Sequence, residues 1–243
     1  MVNNEFKRIW VTGDKHGNFD LLPMWCDGNN TKRDEDLLII LGDAGINYYS
    51  QESEITRRIK ERIFQEKITL LCVRGNHEER PSNLSNYSLQ DVGIGDKVYV
   101  EDYYPNVWFA QDGGEYNICG KSFLTIGGAY SVDKPIRLLR GWRWFHDEML
   151  LSDERKDILD KVTGKQYDHV LTHTCPFEWQ PYYLFLDGVD QDKIPKDMEW
   201  FLSAVRNAIK YGHWWFGHFH DDVLNVHGED NVSMLYHLKE RIV

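Results

Sequence analysis

The sequence predicts an α/β fold with parallel strands at its centre, and three observations carry that reading. From Arg8 to Val73 the chain alternates strand, glycine-marked loop, helix and strand. From Val98 to Ile126 short strands follow one another across glycine turns, and from Ser152 to Phe216 helices and strands alternate again. Strand–helix–strand repeats imply parallel strands with right-handed crossovers, and in such sheets functional groups gather at the carboxyl ends of the strands. The 243 residues are 42% hydrophobic and 28% charged, enough for a sizeable core. No repeat, linker or low-complexity tract divides them, so residues 1–243 read as one domain.

The elements follow in order. Arg8–Thr12 is an apolar strand that stops at Gly13 and presents Asp14 and His16. Asn18 or Asp20 is placed to cap a helix running to about Cys26. Residues 36–41 form a buried strand ending in Gly42-Asp43, and residues 50–66 form a helix with Ile55, Ile59 and Ile63 on one side. Residues 68–73 are a third buried strand, breaking at Gly75 to offer Asn76, His77 and Glu78 together. Val98, Val107, Tyr116 and Ser122 each open a short strand of an antiparallel section. Residues 133–147, rich in Arg and Trp, have no period and read as an ordered loop or cap. Ser152–Val162 is a helix with Ser152 as its cap, and residues 169–171 are a strand ending in His173. Residues 177–195 are aromatic and irregular, a second cleft-lining segment. Residues 197–211 form a helix, and Trp214–Phe216 a strand ending in His218 and His220. Residues 223–227 and 232–238 read as a closing hairpin.

Composition narrows the function. A formal net charge of -11 argues against nucleic acid as the main partner, because phosphate backbones are held by clustered Lys and Arg. A small anionic substrate stays compatible, since bound metal reverses the local sign. Cys26, Cys72, Cys119 and Cys175 lack CxxC spacing and read as buried free thiols of a reducing compartment. The N-terminus lacks a signal-peptide pattern, and no run approaches the roughly 18 apolar residues of a membrane span. A cytoplasmic protein is expected.

Five strand ends carry polar clusters: Asp14/His16, Asp43, Asn76/His77, His173 and His218/His220. One Gly-Asp pair or one histidine after a strand carries little weight. The ordered set sends eight Asp, Asn and His side chains to one sheet edge. Imidazole, carboxylate and amide oxygen without thiolate suit borderline cations such as Mn, Fe or Zn. Eight groups exceed the needs of one tetrahedral ion and suit a two-metal site.

The order D-x-H, G-D, G-N-H-E, H, G-H-x-H, spanning residues 9–220, resembles the calcineurin-like metallophosphoesterases. The resemblance implies a four-layer α/β/β/α sandwich with mixed central sheets and two divalent metal ions between the sheet edges. It implies that Asp14, His16 and His220 hold one metal, that Asn76, His173 and His218 hold the other, and that Asp43 bridges them. His77 is then not a ligand but protonates the leaving oxygen or stabilises the phosphoryl charge. The implied activity is hydrolysis of a phosphomonoester or phosphodiester by a metal-bridging hydroxide.

Arg74 before the G-N-H-E block also matches the Ser/Thr protein-phosphatase branch, where it would bind phosphate; a salt bridge at the strand end explains it equally well. Ala44-Gly45-Ile46 replaces that branch's V-D-R-G element, so His77 lacks its orienting carboxylate and a phosphate-clamping arginine is missing. Tyr48 and Arg140, with nearby Arg and Trp residues, are the other substrate-rim residues expected. The substrate expected is a small phosphate ester. A non-catalytic scaffold of the same fold is the contrasting reading, and retention of all eight groups speaks against it.

Overall fold

Two β-sheets stacked face to face carry the strands that the apolar patterning predicts. The computed structural model describes residues 6–243; residues 1–5, on which most of the N-terminal targeting reading rests, lie outside the described residues. The first sheet is built on β1 (Arg8–Thr12), β2 (Asp36–Ile40), β3 (Thr69–Cys72), β4 (Tyr87–Gln90), β5 (Val98–Glu101) and β6 (Val107–Phe109). The second contains β7 (Gly114–Ile118), β8 (Lys121–Ile126), β9 (Gln166–Thr172), β10 (Lys210–Phe216) and β11 (Val232–Met234). A last strand, β12 (Lys239–Arg241), returns to the first sheet, whose order is β12-β1-β2-β3-β6-β5-β4; the second runs β11-β10-β9-β8-β7.

β1, β2, β3 and β6 are mutually parallel, and so are β8, β9, β10 and β11. Every residue of β2 and β3 is buried, as a strand covered on both faces requires. Ile9, Val11, Leu37, Ile39 and Leu71 of the first sheet pack on Phe123, Leu171 and Trp215 of the second, filling the space between them. The opposite face of the first sheet is covered by α1 (Leu22–Asn29) and α2 (Glu54–Gln65) through Leu22, Cys26 and Ile63. That of the second is covered by α4 (Ser152–Val162) and α5 (Asp197–Ala208) through Ile158, Val162, Leu202 and Val205. α3 (Lys134–Arg140) lies in the segment joining β8 to α4. The four-layer α/β/β/α architecture is therefore present.

Several local expectations are corrected. α1 starts at Leu22 after Leu21, with neither Asn18 nor Asp20 as its cap; Asn18 instead accepts from the Asp20 amide through its side chain. α2 starts at Glu54, where Ser53 accepts the Ile55 amide at 3.2 Å. Its inward face is Thr56, Lys60 and Ile63 while Ile55 is exposed, because Lys60 is drawn inward by Glu101 at 2.6 Å. α4 is preceded by Leu151, whose amide donates to Glu154 at 2.7 Å, so Ser152 lies inside the helix. α5 ends at Ala208 and β10 starts at Lys210, because pairing with β9 claims Lys210 and Tyr211. β4 and α3 lack a periodic apolar signal and were not predicted. β6 and β8 belong to the parallel sets through β3 and β9, although each also has an antiparallel neighbour. The closing hairpin is reduced to one bridge, Val223 to Met234; β11 joins β10, and β12 crosses to pair antiparallel with β1. Cys119 is exposed in the turn after β7, while Cys26, Cys72 and Cys175 are buried and all four are free. Among the described residues no helix is long and apolar enough to cross a membrane.

His169 and His213 face each other across β9 and β10, sandwiched with Phe123 and Trp215. Burial pulls the pKa of each down to about 4. Both stay neutral in the folded chain at pH values where the unfolded chain binds protons, so their contribution to stability is full above about 6.5 and is lost as pH falls toward 4. The urea midpoint is expected to fall between pH 7.5 and pH 5, with a shallower fall in His169→Gln. An unchanged slope in that variant contradicts the assignment.

Candidate metal centre

The carboxyl ends of β1, β2 and β3 meet those of β9 and β10 at one edge of the sandwich. His218 N–H donates to Asp14 Oδ1 at 2.9 Å and fastens the second sheet to the first there, while Gly217 N–H donates to the His173 carbonyl at 2.9 Å within the second sheet. The His173 ring Nδ1 lies 2.8 Å from the Leu41 carbonyl, which holds that imidazole with Nε2 facing inward. The glycines of this edge leave room for the side chains. A Cβ on Gly42 would sit 2.1 Å from His173 Nδ1, and one on Gly75 would sit 1.9 Å from Asp43 Oδ1.

Asp14, buried, lies with Oδ2 3.3 Å from His220 Nε2 and 3.7 Å from His16 Nε2, and those two imidazole nitrogens are 2.9 Å apart. Asp43, also buried, reaches both ways. Its Oδ2 is 4.0 Å from His16 Nδ1 and 3.5 Å from His77 Nδ1, and its Oδ1 is 3.7 Å from His173 Nε2. Asn76 Oδ1 is 2.8 Å from the same His173 Nε2. Three groups of ligand-type side chains result, each with its atoms within 4.8 Å of one another: Asp14/His16/His220, His16/Asp43/His77 and Asp14/Asp43/His173. His218 lies outside all three but packs beside His173, ring centroids 4.9 Å apart. Seven described non-glycine residues adopt positive φ, and four of them are His16, Asp43, His218 and His220. Backbone of this kind costs on the order of 1–3 kcal/mol per residue and persists where the surroundings enforce it, typically at functional sites.

These residues fit divalent metal. Asp14 Oδ2 is buried with only the His220 imidazole, 3.3 Å away, beside it and no well-formed hydrogen bond among the described residues, a costly state for a carboxylate oxygen that a cation relieves. Burial raises the pKa of Asp14 and Asp43, but the neighbouring histidines outweigh it and hold both below the ordinary carboxylate range. Burial pulls His218 down to about 3, which leaves a neutral imidazole free to ligate. The Asp14 hydrogen bond raises His220 instead, so this ring exchanges a proton for metal.

A model of the family described as calcineurin-like phosphoesterase matches residues 7–222, nearly the whole chain. The chain belongs to that family. Its members are generally metal-dependent phosphoesterases that typically bind two divalent metals, and this calcineurin-like phosphoesterase has the ligand clusters for them. No curated protein gives a match to it.

Two cavities flank the centre of the phosphoesterase and share His77. One, of about 280 Å³, lies under the segment 176–196; the other, about 550 Å³, is lined by Tyr48, Tyr49, Arg137, Trp142 and Arg143. Tyr48 lines the second of these cavities. Arg74 and Arg140 line neither cavity. Arg74 is buried, with Nε donating to Asp112 at 2.9 Å and Nη1 to the Glu148 carbonyl at 2.8 Å, so the salt-bridge alternative holds. Arg140 is exposed over the Trp142 ring because it occupies the outer side of α3.

A carboxylate and an arginine approach His77 from another element. Asp133 immediately precedes α3, and its Oδ1 is 3.8 Å from His77 Nε2. Arg137, one turn on, donates from Nε to both Asp133 oxygens at 2.8 Å and approaches His77 Nδ1 with Nη2 at 3.2 Å. Burial raises the Asp133 pKa, but His77 and Arg137 lower it further, so it remains an anion. The D-x-x-x-R spacing of 133–137 is the one signal in the sequence for this pair, an i,i+4 ion pair on a helix turn. Glu78 does not orient His77: its Oε1 accepts the Gly75 amide at 3.2 Å, and burial pushes its pKa up to about 8. Asn76 is oriented in turn by Ser131 Oγ at 2.8 Å, which donates to Glu148 at 2.5 Å, a buried relay that the sequence did not announce.

Proposed function

We propose that this calcineurin-like phosphoesterase hydrolyses small phosphate esters with two divalent cations, Mn, Fe or Zn. The position of Asp43 carries the reading: it belongs to two of the three ligand groups, with one oxygen toward His16 and the other toward His173. In this reading Asp14, His16 and His220 hold one cation, Asn76, His173 and His218 the other, and Asp43 lies between them. Such a pair, when bound, neutralises phosphoryl oxygens and makes a water acidic enough to attack phosphorus in line.

The chain's own residues do the rest. His77 lines both cavities and is the group positioned to give a proton to the departing alkoxide. Asp133 lies on the Nε2 side of the imidazole at 3.8 Å, while Arg137 approaches Nδ1 at 3.2 Å and presents a guanidinium at the rim where phosphate charge accumulates. Tyr48 accepts from Arg137 at 3.4 Å and keeps it turned inward. The modest volume of the cavity under the segment 176–196, about 280 Å³, favours a small ester.

Hydrolysis of p-nitrophenyl phosphate and of its bis-ester, with manganese added and then chelated, tests the reading. Turnover that requires the metal and disappears with the chelator is expected. Manganese-loaded protein that hydrolyses neither ester contradicts it.

A further inference from the structure

The smaller cavity has a construction that the metal chemistry does not need. One end opens on Asp43, Asn76, His218 and His220, and the walls are Leu184, Phe185, Val189, Ile194 and Phe219. Its lining also includes two acidic or amide side chains that are almost wholly buried, Gln180 at 1% exposure and Glu199 at 5%. Glu199 Oε1 accepts from the Thr174 hydroxyl at 2.9 Å, but Oε2 is buried without a partner, and so is Gln180 Oε1. Two unmatched acceptors behind apolar walls are costly unless something supplies donors, each such group costing about 1–3 kcal/mol. Burial raises the Glu199 pKa despite the Thr174 hydrogen bond and the nearby charge of Lys196. Among the described residues no hydrogen bond or ion pair joins either side chain to a candidate ligand; Glu199 reaches only Thr174, beside His173.

We infer that this cavity is the subsite for the alcohol part of the ester: a small aliphatic group bearing a hydroxyl donor, its hydroxyl given to Glu199 and Gln180 while its phosphate occupies the metal centre. The inference rests on the proposed hydrolase reading for the phosphate end alone. A neutral donor is specified because Lys196 lines the same cavity, its ammonium 4.8 Å from the Phe185 ring centroid. That cation repels an ammonium group on the ligand and leaves a hydroxyl as the donor that matches. The cavity's volume, about 280 Å³, favours a group of modest size.

The test compares alkyl phosphates with ω-hydroxyalkyl phosphates of matched length from two to six carbons, by kcat/KM on the manganese-loaded protein. At one chain length the hydroxylated ester is expected to win by about tenfold or more, the size of one buried donor gained. Glu199→Leu is expected to bring that ratio to about one, and Glu199→Gln, which keeps an acceptor, to retain most of it. Calorimetric Kd values for the same ester pairs on manganese-loaded His77→Ala protein give the selectivity independently of turnover. A wild-type ratio near one at every length, in both rate and Kd, overturns the subsite, and so does a preference for ω-aminoalkyl phosphates. Absence of turnover with selective binding intact overturns the hydrolase reading and leaves the subsite standing.

Discussion

Asp43→Asn is expected to empty both metal positions together and to reduce hydrolysis to the chelated background. The substitution keeps the shape of the side chain, and an amide oxygen still accepts the His77 N–H that Asp43 Oδ1 accepts at 2.8 Å. The backbone at the end of β2 therefore stays in place. What is lost is the negative charge shared by the His16 and His173 sides of the centre. Outer partners of metal ligands are worth about 10- to 100-fold in affinity, so removing the shared anion itself should exceed that range. Equilibrium dialysis against manganese, with circular dichroism to confirm folding, measures it. Loss of one ion with the other retained at wild-type affinity would contradict a bridging Asp43.

His77→Ala should behave in the opposite way, keeping metal while losing about 10²–10⁴ in kcat, the usual yield of a positioned proton donor. His77 does belong geometrically to one ligand group, through Asp43, so metal content decides between the two roles. The leaving group decides further. An alkoxide needs its proton and p-nitrophenolate hardly does, so alkyl phosphates should suffer more than the p-nitrophenyl ester. Asp133→Asn should reproduce that asymmetry at smaller amplitude, because it loosens and discharges the partner 3.8 Å from His77 Nε2 without removing the imidazole. Equal loss on both kinds of ester would assign His77 to phosphoryl charge stabilisation alone.

The contrast between Asp43 and Asp133 shows what the sequence makes legible. Asp43 follows an unbroken apolar strand and a glycine, so its place at a sheet edge follows from β-patterning and the parallel topology. The same logic locates Asp14, Asn76, His173 and His218, each one to four residues beyond the end of a strand. Asp133 and Arg137 sit in a stretch without apolar period, and α3 there is a single short helix held by local ion pairing and packing rather than by an amphipathic face. Their approach to His77 depends on how residues 131–150 fold back over the sheet edge, a long-range fact with no local signature. Arg74 fails for the same reason in reverse. It stands beside the Gly75–Glu78 block in sequence, yet its side chain turns to Asp112, just past the carboxyl end of β6, the strand paired with β3. Most strands of the two sheets are legible in the apolar pattern, but β4 is not, and β12, past the segment read as a closing hairpin, is fixed by pairing with β1 that spans the length of the chain.

The central claim is that five strand ends build one centre for two cations, and metal stoichiometry tests it most directly. Native mass spectrometry of protein loaded with manganese or zinc and freed of excess is predicted to give two ions per wild-type chain and none in Asp43→Asn. A single ion per chain, or two ions retained when Asp43 is changed, would contradict it.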